Sequence, residues 1–147
     1  MEIYDDQTWM KRAFALAANA SLSDVQMNPR VGAIYVRDGV VLAQGFHRGF
    51  GKLHAEYDAL QGQHVDVKGS TVYVTLEPCA HDDLYPACTK LLIQHGVARV
   101  VIASLDPNPI EDGDGVAALQ HAGIVVVTGV ESEQNLTLNH HYFERFK

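Results

Sequence analysis

Cysteine, basic charge and long apolar runs are all scarce in this sequence, and each scarcity removes a class of protein. Two cysteines among 147 residues cannot carry the disulfide framework of a small secreted domain. Either each is a small buried hydrophobe or the pair does chemistry. No apolar run approaches the roughly 18 residues that a membrane-crossing helix needs. The longest candidates, residues 97–105 and 124–130, are short or interrupted and read as buried strands. Residues 1–9 are acidic, without the basic-then-apolar layout of a secretory leader, so the expected location is the cytoplasm. No membrane partner is expected.

Lys and Arg number 11 against 18 Asp and Glu, a formal net charge of −7, and the basic residues do not cluster. Gripping nucleic acid requires a basic footprint, because phosphate neutralisation drives that binding. DNA and structured RNA are therefore set aside, and a small-molecule partner is favoured. The remaining composition, 47% hydrophobic and 20% charged, is that of a globular protein with a sizeable core. With no repeat, low-complexity tract or linker-like stretch, one domain over residues 1–147 is expected.

What is present is a regular succession of patterns. Residues 8–20 read as a helix with Trp9, Ala13, Leu16, Ala17 and Ala20 near one face, and with Asp5, Asp6 or Thr8 available as its cap. Asn28-Pro29 breaks the chain. Residues 32–37 and 40–46 are apolar, β-rich runs split by Asp38-Gly39, a strong hairpin signal. A helix is predicted over 54–61. Strand and helix then alternate: strand 70–76, helix 86–95, strand 97–104, helix 113–121, strand 124–128 and a closing helix 131–143. A hairpin followed by β-α-β-α-β predicts one mixed sheet with helices on both faces. Such sheets gather ligand sites at strand ends and the neighbouring helix N-termini.

The residues that carry chemistry fall there. His54-Ala55-Glu56 opens a predicted helix, while Pro78-Cys79 follows a strand and Cys88 lies near the start of the next helix. Zinc takes one imidazole and two thiolates readily, and three protein ligands leave a fourth position for water. A helix N-terminus favours the thiolate that binds metal, and water on such a metal ionises near pH 7, by about the amount seen in zinc hydrolases. Glu56 is then the group to take a proton from the water and pass protons to a substrate ring and its departing amine. His-x-Glu with a following Pro-Cys and second cysteine is the zinc deaminase signature. Here eight residues separate the cysteines instead of two. A closed structural zinc site would want a fourth ligand, for which His81 or an acidic residue stands nearby. Such a site has no use for Glu56 as a proton carrier.

Several stretches together make the sequence resemble the deaminase domain of the riboflavin-biosynthesis deaminase/reductase family. They are Asn28-Pro29-Arg30-Val31-Gly32, Gly45-Phe46-His47, His54-Ala55-Glu56, Tyr73 through His81 with Glu77-Pro78-Cys79 at its centre, Cys88, Asp106-Pro107-Asn108-Pro109 and Leu138-Asn139. The resemblance covers almost the whole chain, and the cysteine separation suits this branch. It implies a three-layer α/β/α cytidine deaminase-like sandwich with a five-stranded mixed sheet. It also implies zinc held by His54, Cys79 and Cys88, catalysis by Glu56, and hydrolytic release of ammonia from an aminopyrimidine. Asn28, His47, His81 and Asn108 match substrate-pocket positions. Asn28 could equally shape the turn before Pro29, His47 be a plain strand residue, and Asn108 an Asx turn between prolines. The resemblance further implies self-association, for which the aromatic tail 142–146 is available.

Two departures bear on the substrate. Where the family carries a basic residue between the cysteines this chain has Leu84, and where it carries one between two glycines this chain has Asp114. A phosphate is held by Arg, Lys or free backbone amides, and neither replacement supplies them. Family members also continue into a reductase, whereas this sequence stops at Lys147. A separate reductase in the same pathway is one expectation. The alternatives are a deaminase of this branch acting on another amino-heterocycle, including a non-phosphorylated one, and a non-catalytic zinc-binding partner domain. Lys52 and Arg48 are the remaining cations beside His54, with solvated loop charges as the plain alternative. Glu77 could orient a ligand or satisfy backbone amides of the following turn. His64, His95 and His121 sit at helix ends or in loops, where the helix dipole explains them. His140 and His141, beside Tyr142 and Phe143, are expected to pack.

Overall fold

The computed structural model describes residues 5–62 and 64–147. In chain order the elements are α1 (Asp6–Ala17), α2 (Leu22–Val25), β1 (Gly32–Arg37), β2 (Val40–Phe46), α3 (Ala55–Leu60) and β3 (Thr71–Leu76). They continue with α4 (Cys88–Gln94), β4 (Arg99–Ser104), α5 (Asp114–His121), β5 (Val125–Val127), α6 (Ser132–Leu138) and α7 (His140–Arg145). The sheet order is β2-β1-β3-β4-β5, antiparallel across β2, β1 and β3 and parallel across β3, β4 and β5. Asp38 and Gly39 both take the left-handed backbone that a tight hairpin requires.

Period-two alternation sends successive strand residues to opposite faces, and each face has its own cover. Ile34, Val36, Tyr73, Val101 and Ala103 pack with Trp9, Met10, Ala13 and Phe14 of α1, with Leu138 of α6 against the edge. The intervening Ala33, Tyr35, Val72, Val74, Val100 and Ile102 pack with Ala55 and Ala59 of α3, Leu92 of α4 and Leu119 of α5. The three-layer α/β/α sandwich expected from the sequence is therefore the architecture observed. Close approach is built in where helices must sit low on the sheet. A Cβ at Gly45 of β2 would stand 2.5 Å from the Ala59 nitrogen of α3, so only glycine lets α3 lie against that strand.

Asp5 is the cap of α1, its carboxylate accepting from the Thr8 amide at 2.9 Å. The helix expected over 8–20 runs from Asp6 to Ala17, and a short second helix, capped by Ser21 with a reciprocal capping box, follows beyond the expected range. The single closing helix expected over 131–143 is also corrected. It is interrupted at Asn139, whose backbone leaves the helical region at φ −118, ψ 35. The cause is a side-chain network. Asn139 is fully buried; its Oδ1 accepts from the Arg30 amide at 2.7 Å, and its Nδ2 donates to the Arg30 carbonyl at 2.8 Å and to Asn135 Oδ1 at 2.7 Å. Asn135 in turn donates to the Thr75 carbonyl at 2.7 Å. A continuous helix would carry Asn139 past the Arg30 backbone that it clasps.

On the far end of the sheet, Arg99 of β4 pairs with Asp6 of α1, which also accepts from the Tyr73 hydroxyl at 2.8 Å. The Arg99 guanidinium first, and Tyr73 after it, hold the Asp6 carboxyl below its ordinary value of 3.8. A carboxyl depressed by folding stabilises the fold above its unfolded pKa and loses that contribution as pH falls through the lower folded value. Arg99→Gln is therefore expected to cost about 1 kcal/mol at neutral pH, with the difference from wild type vanishing in acid below the ordinary carboxylate range. Chemical denaturation at a series of pH values checks this; a pH-independent difference would contradict it. Asn139→Ala strands the Arg30 backbone pair and Asn135, and its expected cost is about 3 kcal/mol, read from the same denaturation curves.

Candidate metal centre and active site

Register brings one set of loops to a single edge of the sheet. Ala33 pairs with Val74 and Gly32 with Phe46, while Leu76 pairs with Ser104. The segments just before β1, after β2, after β3 and after β4 therefore meet, and they contain Asn28, His47, Cys79 and Asn108. The N-termini of α3 and α4 point into the same place. His54 is the N-cap residue of α3 and makes no side-chain cap bond, which leaves its ring free. Cys88 is the first residue of α4. The Tyr35 hydroxyl donates to the Glu56 carbonyl at 2.9 Å, which fastens the first turn of α3 to β1.

His54, Cys79 and Cys88 come together as the sequence predicted, their ligand atoms all within 4.8 Å of one another. His54 Nδ1 stands 3.4 Å from Cys88 Sγ and 3.7 Å from Cys79 Sγ. In a tetrahedral site with Zn–S near 2.3 Å and Zn–N near 2.0 Å, neighbouring donors lie roughly 3.4–3.8 Å apart. The two nitrogen–sulfur distances match that spacing, and the chemistry of the three donors suits zinc. The Cys88 amide donates to Cys79 Sγ at 3.2 Å. Hydrogen bonding from the Cys88 thiol, and then from His54 and that amide, holds the Cys79 thiol down at about 5. Cys88 is pushed up by the same pairing and by burial, while His54, bonded to Cys79, is raised to about 9. The cluster is thus prepared to hold one thiolate before any metal arrives, as metal binding requires.

Glu56 is 3% exposed, and burial pushes its carboxyl up to about 7. A carboxyl at that value can both take and give a proton near neutral pH. His47 is buried too, and burial lowers its pKa. Its Nδ1 lies 2.9 Å from the Leu53 carbonyl and its Nε2 lies 3.3 Å from Asn28 Nδ2. A neutral ring satisfies both bonds by donating from Nδ1 and accepting at Nε2. That fixes the Asn28 amide with its oxygen unused by His47.

Around these groups lies a cleft of two lobes, each about 340 Å³, which share Asn28, His47, His54 and Cys79. Glu56 and Asn108 line one lobe and His81 the other. Asn108 Oδ1 accepts from the Ile110 amide at 3.1 Å, an Asx turn that leaves the Asn108 nitrogen for other work. His81 is exposed and bonds Glu111 at 2.9 Å, with Asp114 3.7 Å from its other ring nitrogen. Of the two cations flanking His54, Lys52 lines the cleft, whereas Arg48 pairs with Asp58 at 2.8 Å.

Glu77 resolves in favour of the backbone. Its carboxylate accepts from the amides of Asp106, Gly113 and Val116, each at 3.0 Å. A Cβ at Gly115 would meet the Pro78 carbonyl at 2.0 Å, so glycine there lets α5 close on this carboxylate. The α7 contributions were not foreseen. His141 Nε2 lies 2.8 Å from the Asn28 carbonyl, the Tyr142 hydroxyl donates to Asp106 at 2.8 Å, and Arg145 and Phe146 complete the Glu56 lobe. The available signal was the spacing of Asn135, Asn139 and Tyr142, polar groups placed on the face that a closing helix buries.

Comparison with known proteins accords with this geometry. The family described as the cytidine and deoxycytidylate deaminase zinc-binding region matches residues 3–104. Riboflavin biosynthesis protein RibD of Aquifex aeolicus is 44% identical over 138 residues, covering 94% of this chain and 38% of that protein. The diaminohydroxyphosphoribosylamino-pyrimidine deaminase of Buchnera aphidicola subsp. Acyrthosiphon pisum is 39% identical and is matched over 97% of both chains. The crystal structure of the diaminohydroxyphosphoribosylaminopyrimidine deaminase/5-amino-6-(5-phosphoribosylamino)uracil reductase of Thermotoga maritima superposes with a TM-score of 0.88 at 42% identity, over 96% of this chain and 41% of that one. The chain thus spans about two fifths of the Aquifex and Thermotoga proteins and nearly all of the Buchnera one. It belongs to the cytidine and deoxycytidylate deaminase family, on the branch of the riboflavin-biosynthesis deaminases.

Proposed function

We propose that this protein is a zinc-dependent hydrolytic deaminase acting on a diaminohydroxypyrimidine with a ribosylamino-type substituent, the ring named in its relatives. The observation that carries the proposal is geometric: His54, Cys79 and Cys88 gather their donor atoms within 4.8 Å, and the buried Glu56 carboxyl lines a cleft together with His54 and Cys79. His54, Cys79 and Cys88 would hold the zinc. The chemistry that a zinc ion would supply there is a water of lowered pKa as the nucleophile. Glu56 takes a proton from the attacking water and delivers it to the ring nitrogen beside the reacting carbon. A second proton, carried by the same carboxyl, goes to the departing amine. The C–N bond breaks, a C=O bond takes its place and ammonia leaves, so one water is consumed per turnover.

The remaining cleft residues bind and orient. Asn28, with its amide set by neutral His47, offers its oxygen to a ring amino or N–H group. Asn108 offers its nitrogen from the lobe it shares with Asn28 and Glu56, and exposed His81 lines the other lobe. A separate reductase would receive the product, and the cytoplasm is the compartment in which we place the pair. Among the described residues no helix is long and apolar enough to cross a membrane.

Glu56→Gln is expected to retain zinc at wild-type content and to lose at least about 10²-fold in turnover, measured as ammonia release from aminopyrimidines alongside metal analysis. Undiminished turnover would remove Glu56 from the mechanism. Cys79→Ala is expected to lose both the metal and thermal stability, since zinc binding is linked to folding; thermal melts with and without added zinc check this. The wild type should melt higher with zinc, while the variant should not respond.

A further inference from the structure

The lobe that Glu56 does not line is walled by two loops, and the chemistry of deamination itself calls for neither. The loop between β2 and α3 brings Phe50 and Lys52, and the loop between Cys79 and α4 brings Leu84 and Tyr85. Tyr57 stands beside Tyr85 with ring centroids 5.6 Å apart, and its hydroxyl donates to the Pro86 carbonyl at 2.7 Å. Both lobes share Asn28, His47, His54 and Cys79. A pyrimidine ring placed against Glu56 and Asn28 therefore has this second lobe open to whatever substituent it carries.

Most cations around the cleft are already engaged. Arg48 is held by Asp58 and Lys90 by Asp82, each at 2.8 Å. His81 bonds Glu111 and is faced by Asp114. Arg145 packs its guanidinium 5.2 Å from the centre of the Phe146 ring, in the lobe where Glu56, Glu77, Asp106 and Glu111 oppose an anion. Lys52 is different. It is exposed, it lines the second lobe, and among the described residues its ammonium has neither a hydrogen-bond nor an ion-pair partner. Asp83 lines the same lobe from the other loop without pairing with it. The backbone amides of Leu84 and Tyr85 likewise donate to no group among the described residues. An exposed ammonium is satisfied by water, so the place of Lys52 decides its use: one free cation and two free amides face a cleft that contains the reaction centre.

We propose that Lys52 is the specificity-determining cation of this cleft, holding the phosphate of a phosphoribosylamino substituent while the pyrimidine ring lies in the Glu56 lobe. This rests on the aminopyrimidine deaminase function proposed above and assigns the residue that reads the far end of its substrate. A phosphate monoester brings a charge of about −1.5 to −2 at neutral pH and is held by Arg, Lys or free backbone amides. Lysine is a compact charge on a flexible stem, so an exposed loop position suffices to reach the phosphate without a fixed two-point geometry. Leu84 adds no charge from the facing loop, and its amide and that of Tyr85 are the neutral donors available beside the ammonium. Between ring and phosphate, the sugar can lay its C–H face on Tyr85.

Zinc-loaded protein is assayed for ammonia release from diaminohydroxy(phosphoribosylamino)pyrimidine and from the same compound without its phosphate. The wild type is expected to favour the phosphate in kcat/KM by at least about tenfold, the discrimination worth one charge-assisted contact. Lys52→Gln is expected to raise KM for the phosphate about tenfold and bring the two compounds near parity, and Lys52→Arg to keep the wild-type preference. In the Glu56→Gln background, where turnover is lost, calorimetry is expected to show the Kd of the phosphate compound rising about tenfold on Lys52→Gln. A wild type indifferent to the phosphate overturns the inference, as does a preference or a Kd that Lys52→Gln leaves unmoved, while ammonia release keeps the deaminase function standing. A preference abolished by Arg145→Gln and not by Lys52→Gln also overturns it and puts the phosphate in the other lobe. Ammonia release from neither compound removes the aminopyrimidine function itself, and the inference with it.

Discussion

The site depends first on a buried carboxylate that performs no chemistry. Glu77 is 4% exposed, and a carboxyl so placed is tolerated only when its oxygens are hydrogen-bonded. Three backbone amides donate to them, one from the turn after β4 and two from the start of α5. Those bonds lash the ends of two parallel strands to one helix, and the following Pro78-Cys79 leaves from the fastened point. Because Gly115 admits the Pro78 carbonyl at contact distance, the clamp closes without displacing α5. Cys79 is therefore delivered to Cys88 and His54 by rigid elements, which is what a metal site with narrow distance tolerances needs.

A second clasp works from the C-terminal end. The Asn135–Asn139 pair fixes the Arg30 and Thr75 backbones, His141 fixes the Asn28 carbonyl, and Tyr142 fixes Asp106. Asn28 and Asn108 line the same lobe of the cleft and come from segments far apart in the chain, yet both take their position from the same pair of short helices. Burying asparagines and a tyrosine hydroxyl at these points costs desolvation that only full pairing offsets. The break between α6 and α7 is a consequence of that pairing.

Most of this was legible because the signals are local. Apolar, β-rich runs marked the five strands, Asp38-Gly39 marked the hairpin, and the Pro-Cys and His-Ala-Glu stretches with Cys88 named the cluster that the fold assembles. What was not legible depends on contacts distant in sequence. Nothing in residues 131–143 themselves says that Asn139 will meet Arg30 across more than one hundred positions, so one closing helix was the natural expectation. Glu77 had two uses open until the amides of α5 were seen around it. His81 was placed by its motif but not by its partners, since Glu111 and Asp114 reach it only through the folded loop after β4.

The same distinction separates what this scaffold holds fixed from what it leaves adjustable. His54, Cys79, Cys88 and Glu56 sit on helix starts and just past a strand end, each buried or tied down by backbone bonds. The rim is different. Leu84 and Asp114 are exposed side chains on loop and helix-start positions, with no core contact at stake. A change at either position leaves the buried elements of the sheet and its helices in place. Rim positions can therefore vary at little cost to the fold, because an exposed charge contributes little to stability, whereas the buried groups behind them are held by pairing that tolerates no loss of a partner.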